Sequence, residues 1–137
     1  MWWIYALLSA FFAALTAIFA KVGVKNVDSD LATAVRTVVI LIVAWSIAFF
    51  RGGTSGLTTL SKQNLLFLVL SGIATGLSWV FYFKALQIGK VSQVAPVDKL
   101  SVALAIVLSV IFLGEALTWK TAIGAGLIVS GTLVLIL

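Results

Sequence analysis

The composition of this chain excludes a soluble globular protein. Of its 137 residues, 63% are hydrophobic and only 9% are charged, and the mean hydropathy is +1.25. Soluble domains are about half apolar and about a quarter charged. The net charge of +5 would suggest a nucleic-acid partner in a soluble protein. Here we interpret Lys and Arg as residues that cap helix ends and contact anionic lipid headgroups, and we expect no nucleic acid.

The hydrophobic residues form five runs, near residues 2–20, 32–50, 64–83, 91–113 and 119–137. A run of about 20 residues at about 1.5 Å per residue crosses the hydrocarbon layer of a bilayer. Backbone groups in lipid must bond within their own segment, so runs of this length are helices, whereas barrel strands would be shorter and alternate in polarity. The sequence predicts an all-α membrane protein, a bundle of five transmembrane helices that forms one domain over residues 1–137.

The first run differs from a signal peptide. It begins at Met1-Trp2-Trp3 with no basic region ahead of it, and four further apolar runs follow it. We therefore expect it to be a retained helix.

Residues at the breaks between the runs predict where helices begin and end. Asp28-Ser29-Asp30 precedes the second helix and can accept from its free N–H groups, and Arg51-Gly52-Gly53 closes it with a glycine suited to a left-handed cap. The third, fourth and fifth helices have candidate caps at Ser61, Ser92 and Thr118.

The start of the fourth helix is open. Pro96 suits the first turn of a helix, where its missing N–H costs nothing. It also suits a kink in a helix that begins near Val91. The choice sets the membrane depth of Asp98 and Lys99.

Small residues recur at four-residue spacing along three helices, which places them on one helix face. They are Gly72 and Gly76 in the third helix, Ser101, Ala105 and Ser109 in the fourth, and Ala122, Gly126 and Ser130 in the fifth. Such stripes allow close approach of helix backbones in lipid. We interpret them as packing faces, within the chain or with a partner, rather than as substrate contacts.

The basic residues of the loops do not predict which way the chain is oriented in the membrane. Five spans place the termini on opposite sides; Arg51, Lys62 and Lys120 fall on the side of the N-terminus, and Lys21, Lys25, Lys84 and Lys90 on the other. The N-terminal amine makes the two sides equal. The positive-inside rule therefore predicts no strong preference from the loops, and it allows insertion in both orientations. Arg36 and Lys99, each in the second side's half of its helix, would shift the count toward that side being cytoplasmic.

Several stretches together resemble one EamA-type domain of the drug/metabolite transporter superfamily, over essentially the whole chain. They are Lys21 at the end of the first helix, Arg36 early in the second, Ala85-Leu86-Gln87-Ile88-Gly89, Val94-Ala95-Pro96-Val97-Asp98-Lys99-Leu100-Ser101, Phe112-Leu113-Gly114-Glu115, and Gly124-Ala125-Gly126-Leu127-Ile128-Val129-Ser130-Gly131. The resemblance implies a transporter. Larger members have two such domains in tandem, the second inverted because the helix count is odd.

The same resemblance implies that a single domain needs a second chain to complete its cavity. We expect an antiparallel homodimer. The related small multidrug resistance proteins use an acidic residue in their first helix for coupling. The first helix of this chain has none, so proton-coupled export of cationic drugs is not expected.

Ionisable residues at membrane depth are the candidate site. Arg36 lies about one turn into the second helix, and Asp98 and Lys99 enter the fourth from the same side, so the three are expected to meet. A charge at the bilayer centre costs about 2.5–3.5 kcal/mol on the lenient scale. One interpretation is an Arg36–Asp98 ion pair that locks two helices, with Lys99 reaching the headgroups. The other is a polar pocket with a surplus positive charge, suited to a carboxylate or phosphate.

The third helix presents an aromatic face near the level of Arg36, formed by Trp79, Tyr82 and Phe83. Aromatic residues there serve as membrane-belt or packing residues, or they line a cavity. The predicted substrate-binding residues are Arg36, Asp98, Lys99, Trp79, Tyr82 and Ser101.

Enzyme motifs are missing. The chain has no GxSxG, HExxH or P-loop sequence, and it has neither cysteine nor histidine for thiolate chemistry or the usual zinc sites. We expect no enzyme, no cofactor and no metal. The leading hypothesis is a secondary transporter in the cell (inner) membrane that moves a small metabolite or drug by alternating access. The alternatives are a non-transporting structural or accessory membrane protein, and a flippase for a lipid-linked substrate.

Overall fold

A computed structural model describes all residues from 1 to 137, and they form helices without strands. The helices are α1 (Trp2–Gly23), α2 (Ser29–Phe50), α3 (Lys62–Ile88), α4 (Val91–Asp98), α5 (Leu100–Leu113) and α6 (Trp119–Ile136), with a 3-10 helix at Gly53–Thr59. The predicted all-α fold is confirmed.

Five helical stretches are long and apolar enough to cross a membrane. They are α1, α2, α3, the combined α4–α5 stretch and α6, with 22, 22, 27, 23 and 18 residues. Most large apolar side chains along them are exposed at the surface of the chain. Lipid tails cover such surface without the free-energy cost that water imposes. The chain is therefore a multi-pass membrane protein with five spans, as the sequence predicts.

Three of the predicted N-terminal caps are confirmed. The Asp28 carboxylate accepts from the backbone N–H groups of Asp30 and Leu31, both at 3.0 Å. The Ser61 hydroxyl accepts from Asn64 N–H at 3.0 Å, and the Thr118 hydroxyl accepts from Thr121 N–H at 3.1 Å. Because Asp28 is the cap, α2 begins at Ser29 rather than at residue 32.

The predicted cap at Ser92 is wrong. The residue before α4 is Lys90, in an extended conformation and without a side-chain cap. The Lys90 carbonyl accepts from Gln93 and Val94 N–H at 3.0 and 2.9 Å. The helix is therefore already under way at Ser92, whose side chain is too late to cap it.

Pro96 lies inside α4, which selects the kinked helix of the two alternatives. A proline has no N–H, so the carbonyl four residues earlier receives no bond from it. After Pro96 the Lys99 N–H is shared between the carbonyls of Ala95 and Pro96, at 3.2 and 3.1 Å. Lys99 thereby separates α4 from α5. Asp98 and Lys99 lie about two turns from the start of the span.

Two glycines end helices in the left-handed conformation. Gly52 follows α2 with φ +72° and Gly114 follows α5 with φ +68°. This region favours glycine because a Cβ atom would clash there. The left-handed cap predicted at Arg51-Gly52-Gly53 is confirmed.

The chain comprises two compact units, Phe19–Gln87 and the pair of segments Met1–Ile18 and Ile88–Leu137. In the second of these, α6 packs against α4 and α5. Thr132 of α6 is buried, and its hydroxyl lies 2.8 Å from the Ile128 carbonyl oxygen and 3.3 Å from that of Pro96. A side chain of α6 thus reaches the backbone of α4 at its kink.

The Phe19–Gln87 unit is packed at one end. Its buried residues are Ala20, Val24, Ser29, Thr33, Phe83 and Leu86. All lie around the turn between α1 and α2 or in the last turns of α3. Residues 41–47 of α2 and 62–78 of α3, toward the other ends of these helices, are exposed throughout. One end of this unit is packed, and we call it the closed end; the side chains at the other end are exposed.

The small-residue stripes do not pack within the chain where their glycines lie. A Cβ atom added at Gly72, Gly76 or Gly126 would meet nothing within 4 Å. In α6 the buried residue is Thr132, which lies outside the predicted stripe. Contact with a partner remains the prediction for these faces.

Candidate functional site

The ends of α1 and α3 satisfy each other's backbone groups. The Lys21 ammonium of α1 donates to the Leu86 carbonyl in the last turn of α3. The Gln87 side-chain amide of α3 donates to the Val27 carbonyl at 2.6 Å and lies 3.4 Å from that of Val24, both in the turn after α1. The last carbonyls of a helix have no partner within it. We call Lys21, Gln87 and these three carbonyls the helix-end clasp.

The surroundings of the clasp strengthen it. The Lys21 ammonium lies at the C-terminal end of α3, where the helix dipole favours a cation. Leu86 and Val24 are fully buried, with 0% and 1% of their surface exposed, and Phe83 is buried beside them. Apolar surroundings lower the local dielectric constant and strengthen the partly buried bond from Lys21, whereas the bond from Gln87 to Val27 is exposed. The clasp therefore holds the closed end of this unit together.

Ser29 is the buried side chain that lacks a partner. Its residue is 1% exposed, and its hydroxyl makes no hydrogen bond. An unpaired buried hydroxyl costs about 1–3 kcal/mol. The closed end therefore includes one polar group that would gain a partner if this region opened.

Arg36 lies about two turns from the start of α2 rather than the predicted one turn, because α2 begins at Ser29. Its guanidinium carbon lies 4.3 Å from the centre of the Trp79 ring and 5.2 Å from that of Phe83. Trp79, Tyr82 and Phe83 are three and four residues apart, so they share one face of α3. The structure brings Arg36 together with this aromatic face.

The Arg36 guanidinium has five N–H donors, and the structure shows no hydrogen bond or ion pair from it. The acidic residues of its own unit are engaged or distant along the helix. The Asp28 carboxylate caps α2, and Asp30 is exposed in the first turn. The Trp79 and Phe83 rings lie beside the guanidinium, and none of its N–H groups bonds a carboxylate.

Asp98 and Lys99 pair with each other at the boundary of α4 and α5. The Lys99 ammonium lies 3.1 Å from an Asp98 carboxylate oxygen, and the two side chains are 57% and 30% exposed. Ser101 is exposed at the start of α5. Arg36 belongs to the other unit, so its predicted meeting with Asp98 and Lys99 stays a prediction.

Sequence reasoning did not identify Gln87 as a structural residue. Lys21 was identified only as the end of the first helix, and Gln87 only as part of a family-like stretch. A glutamine near the end of an apolar helix was the available signal, since a buried amide needs partners.

A cleft of about 390 Å³, lined by Leu60, Gln63, Asn64, Phe67 and Leu68, contains none of the predicted site residues.

Comparison with known proteins agrees with this architecture. The model of the EamA-like transporter family matches residues 1–137. The chain is 48% identical over 134 residues to a Sinorhizobium sp. protein named "Uncharacterized transporter in cobO 3'region", covering 98% of this chain and 95% of that protein. No solved structure matches the chain.

Replacing Gln87 by Leu tests the clasp. The change removes the donor to the Val24 and Val27 carbonyls while it keeps an apolar side chain of similar size, so we expect a loss of about 1–3 kcal/mol in stability. Thermal unfolding of the purified protein in detergent measures it. Gln63→Leu is the matched control, because Gln63 is exposed at the start of the same helix. Equal melting temperatures for the two variants would contradict the clasp.

Proposed function

Because this chain belongs to the EamA-like transporter family, we propose that it is half of a secondary transporter that moves a small metabolite or drug by alternating access. It acts as an antiparallel homodimer in the cell (inner) membrane. The observation that carries this proposal is the contrast between the two ends of the Phe19–Gln87 unit, one packed around the helix-end clasp and the other with exposed side chains.

Alternating access requires a barrier that forms on one side of the membrane and can be released. The clasp has the properties of such a barrier. It consists of a few hydrogen bonds from Lys21 and Gln87 rather than a large packed core. Each hydrogen bond contributes about 0.5–3 kcal/mol, depending on whether a charged group takes part. Substrate binding can supply a free energy of this size. The unpaired hydroxyl of Ser29 favours release, because opening admits a partner for it.

A second copy of the chain supplies the missing half of the cavity. Five spans are an odd number, so two copies in opposite orientations reproduce an inverted repeat. The equal basic charge on the two sides permits both orientations. The glycine faces at Gly72, Gly76 and Gly126 have open space before them, which suits close approach by a partner helix.

The proposed substrate-binding residues fall into two groups. Arg36, Trp79 and Tyr82 come from the Phe19–Gln87 unit, where the cation lies against the aromatic face. Asp98, Lys99 and Ser101 come from the kink of the fourth span. Both groups lie about two turns from a span end, a depth at which charged side chains usually serve a transported substrate or a partner charge.

Solute flux tests the proposal. The purified chain, reconstituted alone in liposomes, is expected to exchange at least one member of a panel of radiolabelled carboxylates, amines and uncharged metabolites.

Lys99→Ala is expected to leave the melting temperature within a few degrees and to abolish that flux, because Lys99 supplies a charge to the site. Lys120→Ala, an exposed lysine at the start of α6, is the control. Normal flux by Lys99→Ala would remove Lys99 from the site, and no flux from folded protein would favour an accessory role.

Antiparallel assembly predicts that one chain inserts in both orientations. Reporter fusions at the C-terminus, with one reporter active in the cytoplasm and another active outside it, should then both give a signal of similar strength. The physical reason is the balance of positive charge between the two sides, since three basic loop residues and the N-terminal amine face four basic loop residues. A signal on one side alone would leave a parallel dimer or a separate partner chain.

A further inference from the structure

We propose that the Arg36 guanidinium binds the oxyanion of the transported solute, so that the substrate is an organic anion, a carboxylate or a phosphate, with an apolar body. This inference rests on the proposed transport function and names its substrate class. Three observations support it: the charge balance around Arg36, the way in which the rings hold its guanidinium, and the exposed part of the aromatic face.

Within its own unit, the charge of Arg36 is uncompensated. The guanidinium belongs to the second span, about two turns from its start, and makes no ion pair. Asp28 is engaged by the N-terminus of α2, and Asp30 lies six residues before Arg36, where helix geometry does not bring the two side chains together. A cation kept in an apolar environment without a counter-ion favours a bound anion. An uncharged or cationic solute would leave this charge unpaired.

The contacts of Arg36 with the aromatic rings leave its N–H donors available to a ligand. The guanidinium lies over the Trp79 ring, at 4.3 Å, and near the Phe83 ring. A cation–π contact is made by the positive charge of the group and does not require its N–H groups as hydrogen-bond donors. The N–H groups project from its edge in a fork that matches the two oxygens of a carboxylate or phosphate. The rings thus hold the cation, while its N–H donors make no hydrogen bond or ion pair.

The apolar body of the solute follows from the residues beside the cation. Trp79 and Tyr82 are each only partly buried, whereas Phe83 is buried within the unit. Their remaining surface is aromatic and belongs to the helix face that contacts the guanidinium. An anion with a ring or an aliphatic chain covers that surface, which a small inorganic anion does not.

The same oxyanion chemistry occurs in a lipid headgroup phosphate, so the experiment separates a dissolved solute from a lipid. The protein is placed in nanodiscs of phosphatidylcholine, which carry no net charge, and titrated with phenylacetate while its tryptophan fluorescence is recorded. Phenylacetamide, an uncharged isostere, and phenethylamine, a cation, are the comparison probes. We expect saturable binding of phenylacetate that is at least about tenfold tighter than that of either comparison probe.

Variants assign the binding to Arg36. Arg36→Gln is expected to weaken phenylacetate binding about tenfold or more, and Arg36→Lys, which keeps the charge but loses the fork, to weaken it by less. Arg51→Gln, at the exposed opposite end of α2, is expected to bind like the unmodified chain. If Arg36→Gln fails to fold, Arg36→Lys decides, since an unchanged affinity in that variant contradicts a forked contact.

Several outcomes would overturn the inference. They are equal binding of phenylacetate and phenylacetamide, no saturable binding of either, and binding unaffected by both Arg36 variants. Nanodiscs with added phosphatidylglycerol test the lipid source: Arg36-dependent stabilisation by this lipid without phenylacetate binding would assign the site to a headgroup and overturn a solute site. Flux of uncharged or cationic solutes, but not of phenylacetate, in liposomes would refute the substrate class and leave the transporter proposal intact. No flux of any solute would refute that proposal instead.

Discussion

A helix that ends near the boundary of the hydrocarbon layer leaves up to four carbonyl groups without partners, and lipid tails cannot supply hydrogen bonds. In this chain the ends of α1 and α3 meet that requirement reciprocally. Lys21 of α1 donates to a terminal carbonyl of α3, and Gln87 of α3 donates to the turn after α1. Most of the burial in the Phe19–Gln87 unit is found beside these two side chains.

The helix-end clasp sets the register in which α3 lies against α2. Trp79 is eight residues before Gln87, about 12 Å along the helix, and at that level it meets Arg36 two turns into α2. The position of the charged residue is therefore a consequence of the helix-end hydrogen bonds. Sliding α3 by one turn would break the clasp and move the aromatic face away from the guanidinium. Opening of the closed end and exposure of Arg36 are thus expected to occur together.

Local features of this fold follow from the sequence because their causes are local. Asp28, Ser61 and Thr118 cap helices through bonds to residues two or three positions away, and Gly52 adopts the conformation that the end of α2 requires. The five spans follow from run length and polarity. Ser92 shows the limit of this reasoning, because Lys90 already begins the helix through its backbone and no side-chain cap is used.

Contacts between distant residues could not be predicted in the same way. Lys21 and Leu86 are 65 positions apart, and Thr132 reaches Pro96 across 36 positions. No periodicity in the sequence selects such partners. The candidate site shows the same division: the sequence identified Arg36, Trp79 and Tyr82 by charge, type and depth, whereas the ring contacts of Arg36 depend on how α2 and α3 pack. For the small-residue stripes, spacing revealed a shared helix face but not what covers it.

In the proposed mechanism the clasp closes one end of the helical unit and is released during transport. Because the chain contains no cysteine, a single introduced thiol reports on this end directly. Val24→Cys places it at a position that is 1% exposed, and Gly23→Cys places it at the neighbouring exposed position. The measurement is the rate of labelling by a membrane-impermeant maleimide in liposomes. We expect slow labelling at position 24 and fast labelling at position 23. Adding Gln87→Leu is expected to raise the labelling rate at position 24 markedly. Equal rates at both positions, or no response to Gln87→Leu, would contradict the proposed mechanism.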